Sequence, residues 1–305
     1  MTDIYVGGSG PPWRRLLILI VVLVLGGLWV ARSFTSSDPE PEPEIALEEP
    51  SLAPLPSPET EDFPSDPEVP TNAPSLEDIQ RLLQAENLHQ ARALAFKRLA
   101  ALPEGAARLS TENLLGELHT RMVFNKIPMA EKVTHVVGRG DTLGKIAQTY
   151  KTTPQLIAIS NGIENNLIRL GETLRILNGE FDCVVNKTRN DMVVTLNGRF
   201  FKRYAVGTGT HNSTPEGDYI ISLRMRHPVW YRPDGEQFPY GHPDNLLGTH
   251  YLKLNTPGIG LHGTWEPETV GSQSSAGCVR FRNEMIEELY NLLPEGTSVR
   301  IENGS

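Results

Sequence analysis

The chain has 305 residues, 37 Asp and Glu against 28 Lys and Arg, a formal net charge of −9, and 2 cysteines. That length allows about two domains, and a single pair of cysteines excludes a disulfide framework. No basic block or aromatic–basic interleaving occurs, which sets nucleic acid aside as a partner.

Residues 1–15 are a short N-terminus ending in Arg14 and Arg15, and residues 16–31 then run without a polar side chain. At a rise of about 1.5 Å per residue that run spans about 24 Å, a little under the roughly 30 Å hydrocarbon core. Trp13, Trp29 and the flanking arginines suit the edges of a bilayer. Residues 29–33 lack a small-x-small cleavage site, so the expectation is an uncleaved transmembrane anchor over 16–32. Two arginines before the span and one after it put the N-terminus in the cytoplasm. Everything downstream is then periplasmic or otherwise extracytoplasmic.

Residues 33–75 carry eleven Asp or Glu and no Lys or Arg, so they account for −11 of the net −9 and leave +2 elsewhere. The acidity belongs to a tether. Alternating Pro and Glu from 39 to 44 favours an extended, self-repelling, disordered linker, with a contour on the order of 130 Å. Ser75-Leu76-Glu77-Asp78 then resembles a capping box, and Ile79, Leu82, Leu83, Ala91, Leu94, Ala95 and Leu99 follow helical spacing. Pro103 and Gly105 break that helix; a second carries Leu109, Leu114, Leu115, Leu118 and Met122 and stops near Pro128. The expectation over 76–128 is a helical hairpin, in which residues 91–102 resemble one tetratricopeptide unit. Its role is structural packing or spacing.

Residues 134–178 read as strand, helix, helix, strand. Residues 134–137 are β-rich, Gly140 and Asp141 cap a helix through Tyr150, Thr153 and Pro154 open a second helix ending at Asn161-Gly162, and 173–177 close the unit. The segment from His135 to Leu143, with Ile146-Ala147, Asn161-Gly162 and the run from Leu167 to Leu174, resembles a LysM module. That resemblance implies binding of N-acetylglucosamine-containing glycans such as peptidoglycan. The implied groove lies between Gly140, Asp141, Thr142 and Leu143 on one side and the loop from Asn165 to Ile168 on the other. Leu170 stands where the family usually has proline.

After Gly179 the pattern turns to short strands: 183–186, 192–196, 200–206, 218–223, 250–254 and 298–301, with a helix over 283–292. Asn197-Gly198 is a strong hairpin signal. Residues 206–210 are glycine-rich but lack the Gly-Lys-Ser/Thr of a phosphate loop. His262-Gly263-Thr264 and, a dozen residues on, Ser275-Ala276-Gly277-Cys278-Val279-Arg280 place a base and a thiol in one segment. A thiol with a pKa of roughly 8.5 is mostly protonated near neutral pH and needs a neighbour to favour the thiolate. His211, His227, His242 and His250 show no metal-ligand spacing, so no metal or cofactor is expected. Cys183 reads as a small buried hydrophobe, and Trp230, Tyr231, Tyr240 and Trp265 as packing or cleft-lining aromatics.

Thr214-Pro215-Glu216-Gly217, Asn245-Leu246-Leu247-Gly248, Gly260-Leu261-His262-Gly263-Thr264 and the Ser275 to Arg280 motif together resemble the YkuD-type L,D-transpeptidase catalytic domain over 180–302. Leu247 replaces a usual proline, and Ala276 a frequent histidine. The resemblance implies Cys278 as nucleophile, His262 as base, and peptidoglycan glycan strands and tetrapeptide stems as partners. Backbone N–H groups at Gly277 and Cys278 are expected to form an oxyanion hole, the Gly263 carbonyl to orient the histidine, and Ser275 and Arg280 to support the site. Cross-linking is the leading expectation; L,D-carboxypeptidase activity and a non-catalytic wall-binding anchor are the alternatives. The architecture expected is thus multidomain: transmembrane helix, disordered linker, helical hairpin, βααβ module and a mostly-β catalytic domain.

Overall fold

The computed structural model describes residues 69–304 apart from Pro233. The expected anchor and most of the linker lie outside the described residues, among which no helix is long and apolar enough to cross a membrane.

Three helices come first, not two: α1 (Leu76–Gln84), α2 (Leu88–Ala101) and α3 (Ala106–Val123). Ser75 caps α1 as expected, its hydroxyl accepting from the Asp78 N–H at 3.0 Å. The expected long first helix is broken at Glu86, whose φ of 58° is left-handed, and Asn87 starts α2 by accepting from the Gln90 N–H. The apolar spacing hides this break because both pieces present their stripes to one core, which holds Ile79, Ala91, Ala95 and Leu99.

The next unit pairs β1 (Lys132–Val136) antiparallel with β2 (Thr173–Leu177) across α4 (Leu143–Thr149) and α5 (Pro154–Asn161). Thr142, not Gly140 or Asp141, caps α4, accepting from the Lys145 N–H at 3.2 Å. Asp141 instead accepts from the Gly138 N–H at 2.7 Å and from His135 at 3.0 Å, which closes the loop before the helix. Thr153 caps α5 and Gly162 ends it in a left-handed conformation. This unit has its own small core of Val137, Leu143, Ile146, Ala147, Ile157, Ala158, Leu174 and Ile176.

The remaining chain forms β3 (Phe181–Asn186), β4 (Asp191–Leu196), β5 (Arg199–Ala205), β6 (Thr208–Gly209), β7 (Gly217–Arg226), β8 (Trp230–Tyr231), β9 (Gln237–Phe238), β10 (His250–Leu254), β11 (Gly260–Thr264), β12 (Gln273–Ser275), β13 (Val279–Arg282), α6 (Asn283–Leu292) and β14 (Ser298–Glu302). Eight of these strands make one mixed sheet in the order β13-β11-β10-β7-β14-β3-β4-β5. Only β11/β13 and β14/β3 are parallel pairs within it.

Both flanking units are built onto this sheet. Helix α3 lies against the edge strand β5, where the Lys202 ammonium meets both Glu288 oxygens at 3.0 Å and the Thr120 hydroxyl at 3.2 Å. Arg203 pairs with Glu112 at 2.7 Å, and the buried His119 donates from Nδ1 to the Phe201 carbonyl at 2.7 Å. The βααβ unit docks through α5: the Thr153 hydroxyl donates to the Asn291 carbonyl at the end of α6, and Leu156 leaves its own unit's core for the large shared one. Burying a leucine to 1% exposure stabilises that contact by about 2 kcal/mol.

Candidate active site

Parallel pairing of β11 and β13 builds the site. Leu261 lies opposite Val279 and His262 opposite Arg280, so Cys278, the residue before β13, sits one strand over from the start of β11. One strand spacing is roughly 4.8 Å. On the other side of β11, Tyr251 of β10 pairs with His262, their ring centroids 6.3 Å apart. Tyr251, His262 and Arg280 therefore share one cross-strand row and one face of the sheet.

His262 is buried, and its Nδ1 lies 2.6 Å from the Gly263 carbonyl oxygen. A carbonyl can only accept, so Nδ1 carries the proton and Nε2 keeps its lone pair. Burial, with a smaller contribution from the Arg280 charge, pushes the His262 pKa down to about 4 against the opposing pull of the Gly263 carbonyl. Burial likewise raises the Cys278 thiol, opposed by a backbone hydrogen bond and by Arg280. The raised thiol and the lowered imidazole both favour the neutral pair at rest, with His262 placed as a base for the Cys278 proton. Sγ donates to the Gly258 carbonyl at 3.2 Å.

The nucleophile loop is held by Ser275. Its hydroxyl donates to the Cys278 carbonyl at 2.6 Å and accepts from the Gly277 N–H at 3.1 Å. The Gly277 N–H, expected as an oxyanion donor, is thus already engaged in this structure. Gly277 has φ of 136°, a conformation in which a side chain is strained, although a Cβ there would meet nothing closer than 3.6 Å. Gly263 is required for a different reason: a Cβ would come within 2.2 Å of Asn283 Oδ1, which accepts from the Thr249 N–H. Arg280 is tied by its backbone to Gly207 in both directions, at 2.8 and 2.9 Å, while its guanidinium lies 3.5 Å from Glu266.

The aromatic residues form a string beside the site. Trp230 stacks on Phe238, Phe238 lies by His242, His227 stacks on Tyr240 at 4.0 Å, and Tyr240 reaches Trp265 at the end of β11. Tyr231, Tyr240 and Trp265 remain exposed. Cys183 is buried and both cysteines are free thiols.

In the βααβ unit, Asp141, Thr142, Leu143 and Ile168 line a groove of about 440 Å³, together with Gly144, Pro154, Gln155, Asn166 and Leu167. Gly140 and Asn165 flank this groove without lining it. Leu170, the departure noted in the sequence, is 75% exposed and lies outside it.

A buried imidazole with a free lone pair, a thiol one strand away and a tightly turned loop around that thiol define a site suited to cysteine-dependent acyl transfer. Known proteins give this class a family. The family model described as the L,D-transpeptidase catalytic domain matches residues 181–301, and that of the LysM domain matches 135–177. YqjB of Bacillus subtilis strain 168, which carries the name L,D-transpeptidase, is 34% identical over 131 residues, covering 41% of this chain and 73% of that protein. YkuD of the same organism, similarly named, is 27% identical over 177 residues, covering 55% of this chain and 98% of that one. Among solved structures, an L,D-transpeptidase from Mycobacterium smegmatis aligns with a TM-score of 0.35 at 16% identity, covering 43% of this chain and 63% of that one. The chain belongs to the L,D-transpeptidase family and carries a LysM domain ahead of its catalytic domain.

Sequence reasoning passed over Tyr251, Gly258 and Glu266. Tyr251 reaches the histidine only through the β10/β11 register, which no local motif encodes.

Proposed function

We propose that this enzyme is held in the cytoplasmic membrane by residues 16–32, faces the envelope, and cross-links peptidoglycan through a thioester on Cys278. Cys278 Sγ attacks the carbonyl carbon of the third residue of a tetrapeptide stem as its proton passes to His262 Nε2. The tetrahedral oxyanion meets the N–H groups of the Ser275–Cys278 loop, with Gly277 released from Ser275 as the loop adjusts. The imidazolium then protonates the departing D-alanine amine, leaving a thioester and a neutral histidine. An amine of a second stem attacks that thioester and regenerates the thiol. The LysM groove supplies affinity for the glycan strands, and the acidic tether lets the catalytic unit act away from the bilayer.

The observation that carries this reading is the Nδ1–H of His262 held on the Gly263 carbonyl, which leaves Nε2 as a neutral acceptor beside the strand that presents Cys278. Mass spectrometry of wall fragments from cells making wild type or Cys278→Ala tests it. Dimers cross-linked between two third-position residues are expected with wild type and absent with the variant. Equal dimer levels in both would remove Cys278 from the mechanism, and trimmed tripeptides without dimers would make water the acceptor.

A further inference from the structure

We propose that the LysM groove continues into the cavity between the LysM domain and the catalytic sheet, and that one neutral, hydroxyl-rich glycan chain occupies both. The proposal rests on the reading of residues 134–178 as a glycan-binding module. The cavity measures about 710 Å³ and is walled by the module at Gln148 and Thr152 and by the catalytic domain at Asp182, Arg224 and Thr297. Gly144 and Pro154 line both this cavity and the 440 Å³ groove, so the two spaces meet at those residues.

The walls do not drift apart, because the contacts that join the two domains surround the cavity. Thr153 is bonded to Asn291, Lys151 pairs with Glu180 at 2.7 Å, and Arg224 of the catalytic domain donates to the Gln155 side chain of the module at 3.4 Å. The lining selects the chemistry of the occupant. Lys151 and Arg224 face three carboxylates, Glu180, Asp182 and Glu295, so the charge surplus is negative and repels an anion. Gln148 and Asp182 are exposed in the cavity wall, and among the described residues no hydrogen bond engages either side chain. A wall of donors and acceptors without net positive charge suits sugar hydroxyl and acetamido groups, which give and take hydrogen bonds at once.

The cavity lies on the α6 side of the sheet, on the face opposite the row of Tyr251, His262 and Arg280. Arg224 pairs with Leu252, Leu252 with Leu261, and Leu261 with Val279, the neighbour of the nucleophile. Three strand spacings, roughly 14 Å, separate Arg224 from Val279 along that row.

Calorimetric titration of the full chain in detergent with N-acetylglucosamine oligomers tests this. The octamer is expected to bind about tenfold more tightly than the trimer, since only the octamer reaches beyond the groove. Gln148→Ala combined with Asp182→Ala removes polar lining without touching the docking bonds; it is expected to leave trimer binding unchanged and abolish the octamer's advantage. Ser298→Trp, which narrows the cavity from the exposed start of β14, is expected to do the same. Trimer binding with no gain for the octamer, or an octamer gain that survives both variants, overturns the extension alone. Failure of the trimer to bind overturns the glycan reading of the module and the extension with it.

Discussion

At His262 the backbone does the work that a carboxylate does in a serine protease triad. The Gly263 carbonyl accepts the Nδ1 proton and fixes the tautomer, yet being neutral it gives less support to an imidazolium, and burial holds the pKa near 4. Burial pushes the Cys278 thiol up and so favours its protonated form at rest. Alkylation of Cys278 by iodoacetamide is therefore expected to be slow at neutral pH and to rise only above the ordinary thiol range of roughly 8.5, followed by peptide mass spectrometry. An inflection near pH 4 with a flat rate above it would mean a preformed thiolate–imidazolium pair. Ser275→Ala removes the hydroxyl that spans Gly277 and Cys278, and is expected to lower kcat about a hundredfold with little change in KM. Steady-state kinetics on tetrapeptide stems reads it; an unchanged kcat would make the hydroxyl dispensable. Cys278 and His262 were legible from sequence because their motif is compact. The engagement of the Gly277 N–H was not, because a serine two residues away can turn toward either the loop or solvent.

Between elements, the information lies in pairings distant in sequence. The strands 250–254 and 298–301 and the helix over 283–292 follow from local alternation and periodicity, and the structure has them at β10, β14 and α6. Strand β11 carries two glycines, which strands disfavour, and β13 is only four residues long, so neither shows local alternation; each forms because its neighbours in the sheet impose it. The seam between α3 and the sheet was also invisible: Lys202 and Glu288, 86 residues apart, are both largely buried there. Lys202→Met strips the main cation from Glu288 and is expected to cost about 3 kcal/mol, read by urea denaturation. Adding Glu288→Gln should restore most of it. A single variant as stable as wild type would show that the carboxylate finds water instead.

For the whole molecule, shared core and docking bonds make the helices, the LysM domain and the catalytic domain one mechanical body over the described residues. Calorimetry is expected to show one unfolding transition for all three, because Leu156 and α3 both belong to the core under the sheet; two well-separated transitions would refute this. Acid should weaken that body. His119 and His262 both have pKa values lowered to about 4 by burial, below their ordinary value, so the unfolded chain binds more protons between those limits. Stability is thus complete above about pH 6.5 and is lost as pH falls toward 4; a melting temperature independent of pH over that window would place both imidazoles in contact with solvent. The linear sequence gives the order of the segments, and nothing in it reports that Thr153 bonds to Asn291. That bond changes what the LysM domain can be. A module on a loose leash would raise the local concentration of wall and leave every stem equally reachable. A module clamped to α6 instead acts as a gauge block, holding its groove at one distance and one angle from Cys278.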